Sequence, residues 1–296
     1  MASVLTPEQG RFESFTGLVR TRRRRRRVSL SLVVGATLFG TMLVVAIFAT
    51  LISPHDPYAI DLNHLLARPG SPGHLLGTDS LGRDLLSRIM YGARTSLLVS
   101  GLGMLGSMLV GVTAGLMAAF GGRIVELLVL RLIDVQLAFP YVLLAIAITT
   151  VVRPSVPVLI MLMVLAGWAG FARVVRSAAL QEAAKDYVKA AALVGATRTR
   201  IARKYVFPNL LPPILVLCAM QMAAMVVFEA TLSFLGMGIQ PPTPSWGGIM
   251  LESKTYLEQA WWVATLPGVA ILVTTVSLNL LADGLQTMFG ARVRDA

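Results

Sequence analysis

Charge is scarce in this chain. Asp, Glu, Lys and Arg make up 14% of its 296 residues and hydrophobic residues 55%, whereas soluble globular domains carry about 25% charged residues. That balance places the chain with membrane proteins. Its single cysteine, Cys218, lies in an apolar run, which excludes a disulfide framework and a cysteine metal site. The lysines stand at 185, 189, 204 and 254, and none follows a glycine, so the G-x-x-x-x-G-K-[ST] loop that cradles phosphates is missing. H-E-x-x-H and G-x-S-x-G are missing as well. His55, His64 and His74, the only histidines, have no neighbouring cysteine to complete a metal-ligand pattern. These absences argue against an enzyme and against a cofactor or metal held by the chain itself.

Long apolar runs are what the sequence has in quantity. A bilayer core about 30 Å thick takes roughly 20 apolar helical residues to cross. Six stretches fit, at about 28–52, 95–120, 127–152, 156–171, 210–236 and 262–288. They are continuous, without the alternation of a β-barrel, so the expected fold is all-α and polytopic with six transmembrane helices. The fourth is short and continues as helix into "ARVVRSAALQEAAK". The implied organisation is a basic tail (1–27), a first helix (28–52), a loop (53–94), a five-helix core (95–289) and a short C-terminal tail (290–296).

The net charge of +11 suggests nucleic acid at first sight. The basic residues, however, lie in blocks flanking apolar runs, as membrane topology requires, and no nucleic-acid partner is expected. The run 22–27, the insert after the fourth span, and Arg292 with Arg294 all fall on one side if the chain crosses six times. Both termini are therefore expected in the cytoplasm, with the chain multi-pass in the cytoplasmic membrane and its first span an uncleaved anchor. The run at 22–27 reads as an orientation signal, with anionic lipid as a further partner.

Ion-coupled transport, as a stand-alone carrier or channel, is the alternative reading. It needs ionisable groups inside the spans. Glu126, Arg131, Asp134 and Asp283 fall near span ends, and Glu229 alone looks deep. A structural hydrogen bond is the plainer role for Glu229.

The most unusual stretch is "AAKDYVKAAALVGATRTRIARKYVFPNLLPP" (183–213), a basic insert between two apolar segments. Tyr187, Val188, Ala191 and Val194 recur at helical spacing. Gly195 suits the left-handed position that ends a helix, and Thr197 suits the cap of a second one. Pro208 and the pair Pro212–Pro213 mark the re-entry into the membrane. A short helix with an alanine-rich face would lie across the ends of two spans, free to seat in a groove on another protein.

This insert resembles the loop that couples the membrane subunits of ATP-binding-cassette (ABC) importers to their ATPases, with the pattern E-A-A-x3-G-x9-I-x-L-P. Here it reads Lys189-Ala190-Ala191, three residues, Gly195, nine residues, then Tyr205-Val206-Phe207-Pro208. Lys189 replaces the family's glutamate, so no acidic role carries over. "HLLGTDSLGRDLLSRIMYGARTSL" (74–97), "RLIDVQLAFP" (131–140) and "EATLSFLGMGIQPPTPSWGGIM" (229–250) resemble the dipeptide, oligopeptide and nickel permeases of the C-subunit type. The C-terminus, "TMFGARVRDA", departs from that pattern.

The resemblance implies a permease subunit that pairs with a second, non-identical membrane subunit. It further implies two cytoplasmic ATPases, which bind ATP and Mg, and an external substrate-binding protein or lipoprotein. Tyr187, Ala190, Ala191 and Gly195 are the expected packed contacts with the ATPases, with Lys185, Lys189 and Arg198 as rim charges. Gly77, Thr78, Asp79, Gly82, Arg83 and Asp84 form a loop signature that is either structural or a contact for the binding protein. The cargo, whether dipeptide, oligopeptide, nickel complex or glutathione, is not written in this chain.

Overall fold

The computed structural model describes residues 29–294; the arginine run at 22–27 and the last two residues lie outside the described residues. The chain forms α1 (Leu30–Ile47), α2 (Ala49–Ile52), α3 (Leu85–Phe120), α4 (Arg123–Ala138), α5 (Tyr141–Val151) and α6 (Val156–Ala183). Then come α7 (Asp186–Leu193), α8 (Arg198–Arg200), a π-helical turn (Ile201–Val206), α9 (Phe207–Phe234), α10 (Trp246–Glu252), a 3-10 turn (Lys254–Tyr256) and α11 (Trp261–Arg294). Five helical segments, α1, α3, α6, the run from α8 through α9, and α11, are long and apolar enough to cross a membrane.

The sixth expected span is broken. α4 and α5 meet at an angle of 86°, and the reason is local. Pro140 has no N–H to give to a continuing helix and disfavours helical backbone in the residue before it. Phe139 is accordingly extended, at φ −98° and ψ 132°.

The second span begins at Leu85, not at 95 as its charged start suggests. Asp84 caps it, accepting from the Ser87 N–H at 2.9 Å, and Arg88 in its first turn is buried in an ion-pair cluster. A charge neutralised by partners does not need to remain in a solvated loop. The fourth span does continue beyond its apolar part, to Ala183. Its two arginines face α4, Arg176 pairing with Glu126 and Arg173 with Asp134 at 3.8 Å. Pro208 follows the π-helical turn, where the helical run is unbroken and the Phe207 N–H bonds the Ala202 carbonyl, and Pro212 and Pro213 lie inside α9, so none of the three opens a helix as their spacing suggests.

Small residues set the packing, as they do where helices meet in lipid. α3 and α6 run parallel along a glycine seam. A Cβ at Gly103 would lie 2.7 Å from Met163 Cβ, and one at Gly115 would lie 2.7 Å from the Ala172 carbonyl oxygen. α1 and α11 run antiparallel and equally close, since a Cβ at Gly35 would lie 2.5 Å from the Leu281 nitrogen and one at Gly284 2.5 Å from Leu32 Cα. Separate apolar clusters close the two ends of the bundle. Val175, Ala179, Val188, Ile201 and Val206 gather at the end near Gly195, and Leu85, Ile249, Ala260, Trp262 and Val263 at the end near Asp79.

Candidate functional site

At the Gly195 end, α7 lies across the ends of α6 and α9. Val188 turns inward and is buried against Val175, Ala179 and Ile201. The helix closes with paired bonds, Gly195 N–H to the Ala192 carbonyl at 3.0 Å and Ala196 N–H to the Ala191 carbonyl at 3.1 Å. This closure needs a residue in the left-handed region, and Gly195 supplies it at φ +90°. Thr197 then caps α8, its hydroxyl accepting from the Arg200 N–H at 3.4 Å. The chain passes through the π-helical turn into α9, a local widening of the kind often found at functional positions.

Tyr187, itself 44% exposed, ties this assembly together at the surface. Its hydroxyl donates to Glu182 of α6 at 2.6 Å and accepts from the Asn209 side-chain amide of α9 at 3.0 Å. Burial and the Glu182 carboxylate together push the Tyr187 hydroxyl up to about 12, so it stays a donor at neutral pH. Lys185 reaches Glu182 at 2.7 Å, and Lys189 pairs with Asp186 at 3.3 Å. Ala190, Gly195 and Arg198 are exposed and Ala191 is half-buried. The face expected from spacing splits in two: Val188 points in, whereas Val194, at the helix C-cap, points out. Leu193 and Val194 are 89% and 90% exposed. Leu193 lies off the spacing of 187, 188, 191 and 194, so periodicity does not mark it.

At the other end, Gly77 (φ +80°) and Gly82 (φ +73°) turn the signature loop back on itself. A Cβ at either would strike a carbonyl oxygen, of Ala67 or of Asp61. Thr78, Asp79, Arg83 and Asp84 are all buried. The Thr78 hydroxyl accepts from the Ala67 N–H at 2.8 Å and donates to the His64 carbonyl. Asp79 accepts from the N–H groups of Leu81 at 2.8 Å and Arg83 at 3.0 Å, from Arg83 Nε at 2.7 Å, and from Arg88. Both arginines also reach Glu252 at the end of α10, Arg83 at 2.6 Å and Arg88 at 2.7 Å.

Two acids and two arginines thus balance in a buried cluster, with Arg88 and Glu252 as members the motif did not include. Nothing local marks either one: Arg88 stands four residues after Asp84 but reaches Asp79 and Glu252 instead. Asp84 also receives the Ser87 hydroxyl at 2.7 Å and faces His74 Nδ1 at 2.9 Å. Burial pulls its carboxyl upward, but the hydrogen bonds from His74 and Ser87 outweigh that and leave it below the usual range.

Glu229 is fully buried and accepts from the Ser233 hydroxyl at 2.7 Å. It stands five residues before the end of α9 at Phe234, so it lies toward the Asp79 end of the helix. Trp246 is buried over Gly92, with its indole N–H on the Ile89 carbonyl at 3.1 Å. Between these ends, α5, α9 and α11 border an open cleft of about 450 Å³, lined by residues such as Val142, Met220, Val227, Thr231, Thr275 and Asn279.

Long apolar helices, a cleft beside a broken span and a short helix presented across one end together define a polytopic α-helical transport permease. Residues 111–295 match the family described as the binding-protein-dependent transport system inner membrane component, and residues 14–69 match the N-terminal TM domain of oligopeptide transport permease C. The chain belongs to the binding-protein-dependent inner membrane component family. It is 37% identical, over 88% of both chains, to the di/tripeptide transport system permease protein DppC of Pseudomonas aeruginosa. It is 39% identical, over 88% of this chain and 89% of the other, to the dipeptide transport system permease protein DppC of Escherichia coli K12. A chain of the MetNI methionine ABC transporter, solved in inward-facing conformations, shares the fold with a TM-score of 0.57 at 18% identity, over 67% of this chain and 93% of that one.

Proposed function

We propose that this chain is one of two non-identical permease subunits of an ABC importer for dipeptides or oligopeptides. It lines half of the path with the cleft between α5, α9 and α11. The Gly195 end faces the cytoplasm and the Asp79 end faces outward, toward a binding protein or lipoprotein that delivers the cargo. ATP and Mg are bound by two separate ATPase subunits.

One observation carries this reading: α7 is held from inside by Val188 and tied at the surface by Tyr187, and it presents Leu193 and Val194, about nine-tenths exposed, on its outer side. Apolar side chains held that far out on a braced helix fit a groove on another protein. Closure of the ATPases on ATP would displace α7. Because α7 is tied to both α6 and α9, that displacement would tilt the two spans together. The nucleotide biases access to the cleft only through contacts that differ between the two states. The carrier alternative loses support, since Glu126 and Asp134 face arginines of α6, and Glu229, with Oε1 on Ser233 and Oε2 buried without a partner among the described residues, is a single group and not a relay.

The test is capture of the ATPases by the permease pair in detergent, alongside peptide uptake in cells. Leu193→Asp with Val194→Asp, and separately Gly195→Glu, should abolish both while leaving membrane insertion and pairing with the second permease intact. Lys189→Ala should change little, because an exposed ion pair contributes about 0–1 kcal/mol. Wild-type capture and uptake by the aspartate double variant would end the docking reading. A larger loss on removing Lys185, Lys189 and Arg198 together would mean that α7 rests on anionic lipid instead.

A further inference from the structure

The loop between α2 and α3 brings all three histidines of the chain into one place. The His55 and His74 rings are centred 5.1 Å apart, and those of His64 and His74 5.7 Å apart. Two carboxylates stand among them. Asp84 Oδ1 lies 2.9 Å from His74 Nδ1 and 3.8 Å from His55 Nδ1, while Asp61 Oδ2 lies 2.7 Å from His64 Nδ1. One donor atom from each of His55, His74 and Asp84 falls within a 4.8 Å span, and the same holds for Asp61, His64 and His74. His74 belongs to both sets.

Packing does not call for this arrangement. The side chains of His55 and His64 are 42% and 48% exposed, so neither fills a core, and the ion-pair cluster of Asp79, Arg83, Arg88 and Glu252 is complete without them. His74, at 11%, is the one imidazole set into the loop.

We propose that His55, His64 and His74, with Asp61 and Asp84, bind one divalent transition-metal ion of the zinc class. Several imidazoles beside carboxylates suit Zn²⁺ or Co²⁺, whereas Mg²⁺ and Ca²⁺ favour oxygen donors alone. The inner shell of such an ion has Zn–N distances of about 2.0–2.1 Å. Donor atoms within each triad are already within 4.8 Å of one another, the triads share His74, and the two exposed histidines are free to swing toward an ion held there. Asp84 is fixed as the cap of α3 through its other oxygen, Oδ2, which accepts from Ser87. Oδ1 is left to ligate the ion or to orient His74, as carboxylates commonly do for metal-bound imidazoles.

The ion would be a clamp and not a cargo. His55 lies three residues past the end of α2 at Ile52, with its N–H on the Ser87 hydroxyl at 3.1 Å, and Asp84 opens α3, so the bound metal would staple the base of the first span to the start of the second. This inference holds for either orientation of the protein in the membrane and does not depend on the identity of the cargo.

The experiment uses the full chain with a histidine-free affinity tag, purified in detergent, stripped with a chelator and titrated with ZnCl2. Retained metal per chain and the shift in Tm are measured. The expected result is one ion per chain, a Tm that rises with Zn²⁺ concentration and no rise with Mg²⁺. Co²⁺ in place of Zn²⁺ should give visible absorption bands that report nitrogen ligation. His55→Ala with His64→Ala, both at exposed positions, should fold as wild type and bind at least about 10-fold more weakly. Adding His74→Gln should abolish retention; if that variant misfolds, the exposed pair alone decides. Metal retention unchanged by the exposed pair, protection by Mg²⁺ equal to that by Zn²⁺, or no retention by the wild type would each overturn the proposal.

Discussion

Arg88 and Glu252 are 164 residues apart in the chain, yet they pair through both guanidinium nitrogens, at 2.7 Å and 3.1 Å. This contact joins the start of α3 to the end of α10. Removing one partner of a buried pair leaves the other charge uncompensated, at a cost of about 3–5 kcal/mol. Because Glu252 is 24% exposed, Glu252→Gln should fall at the low end, near 3 kcal/mol. Arg88→Met with Glu252→Gln restores neutrality, leaving Arg83 to Asp79, and should recover part of that loss. Thermal unfolding of the two singles and the double in detergent measures the coupling, and strictly additive losses would show that the pair is not a unit.

Tyr187→Phe removes one donor and should loosen α7 by about 1 kcal/mol, without lowering expression. The pH dependence has a definite sign. The folded hydroxyl titrates near 12, above its ordinary value of 10.0, so its contribution is fully present below pH 10 and is lost as pH rises toward 12. The Tm gap between wild type and Tyr187→Phe should be flat from neutral pH to 10 and shrink above it. A gap that varies between pH 6 and 9 would assign the tether to another group.

The glycine seam predicts a contrast within one helix. A Cβ at Gly111 would collide with Phe171 and with the Trp168 carbonyl, whereas a Cβ at Gly101 meets only Met222 Cε at 4.0 Å. Gly111→Ala should destabilise by about 1–3 kcal/mol as an overpacked contact. Gly101→Ala should be neutral or slightly stabilising, because alanine favours helix. Tm values of the two variants check both.

The proposed orientation is tested by cysteine accessibility. In a Cys218→Ser background, Asp61→Cys and Thr243→Cys should react with an impermeant thiol reagent on intact spheroplasts, and Ala190→Cys only after lysis. Labelling at 190 and not at 243 would invert the arrangement.

Legibility followed the reach of the signal. Apolar runs marked the spans because hydropathy is local, and Gly195 and Thr197 marked the turn after α7 because caps are local too. The break at Pro140 was hidden inside an unbroken apolar run, although the proline itself was visible. Charges at Arg88 and Arg94 made the first turns of α3 resemble a loop, since sequence alone does not show that Arg88 has partners. Glu252 and the convergence of His55, His64 and His74 depend on how distant segments fold back, which no local pattern encodes.

The right-angled break between α4 and α5 bears on the lipid around the protein. At 1.5 Å per residue, α4 with its 16 residues and α5 with its 11 extend about 24 Å and 16 Å, each short of a hydrocarbon layer of about 30 Å. The free carbonyls that close α4 and the free N–H groups that open α5 cannot face acyl chains. The bilayer must therefore thin locally, or a neighbouring subunit must cover the gap, and hydration must reach the bend beside the cleft. Acyl-chain length should matter more to this protein than to one with six straight helices, because its weakest seal lies where the chain turns.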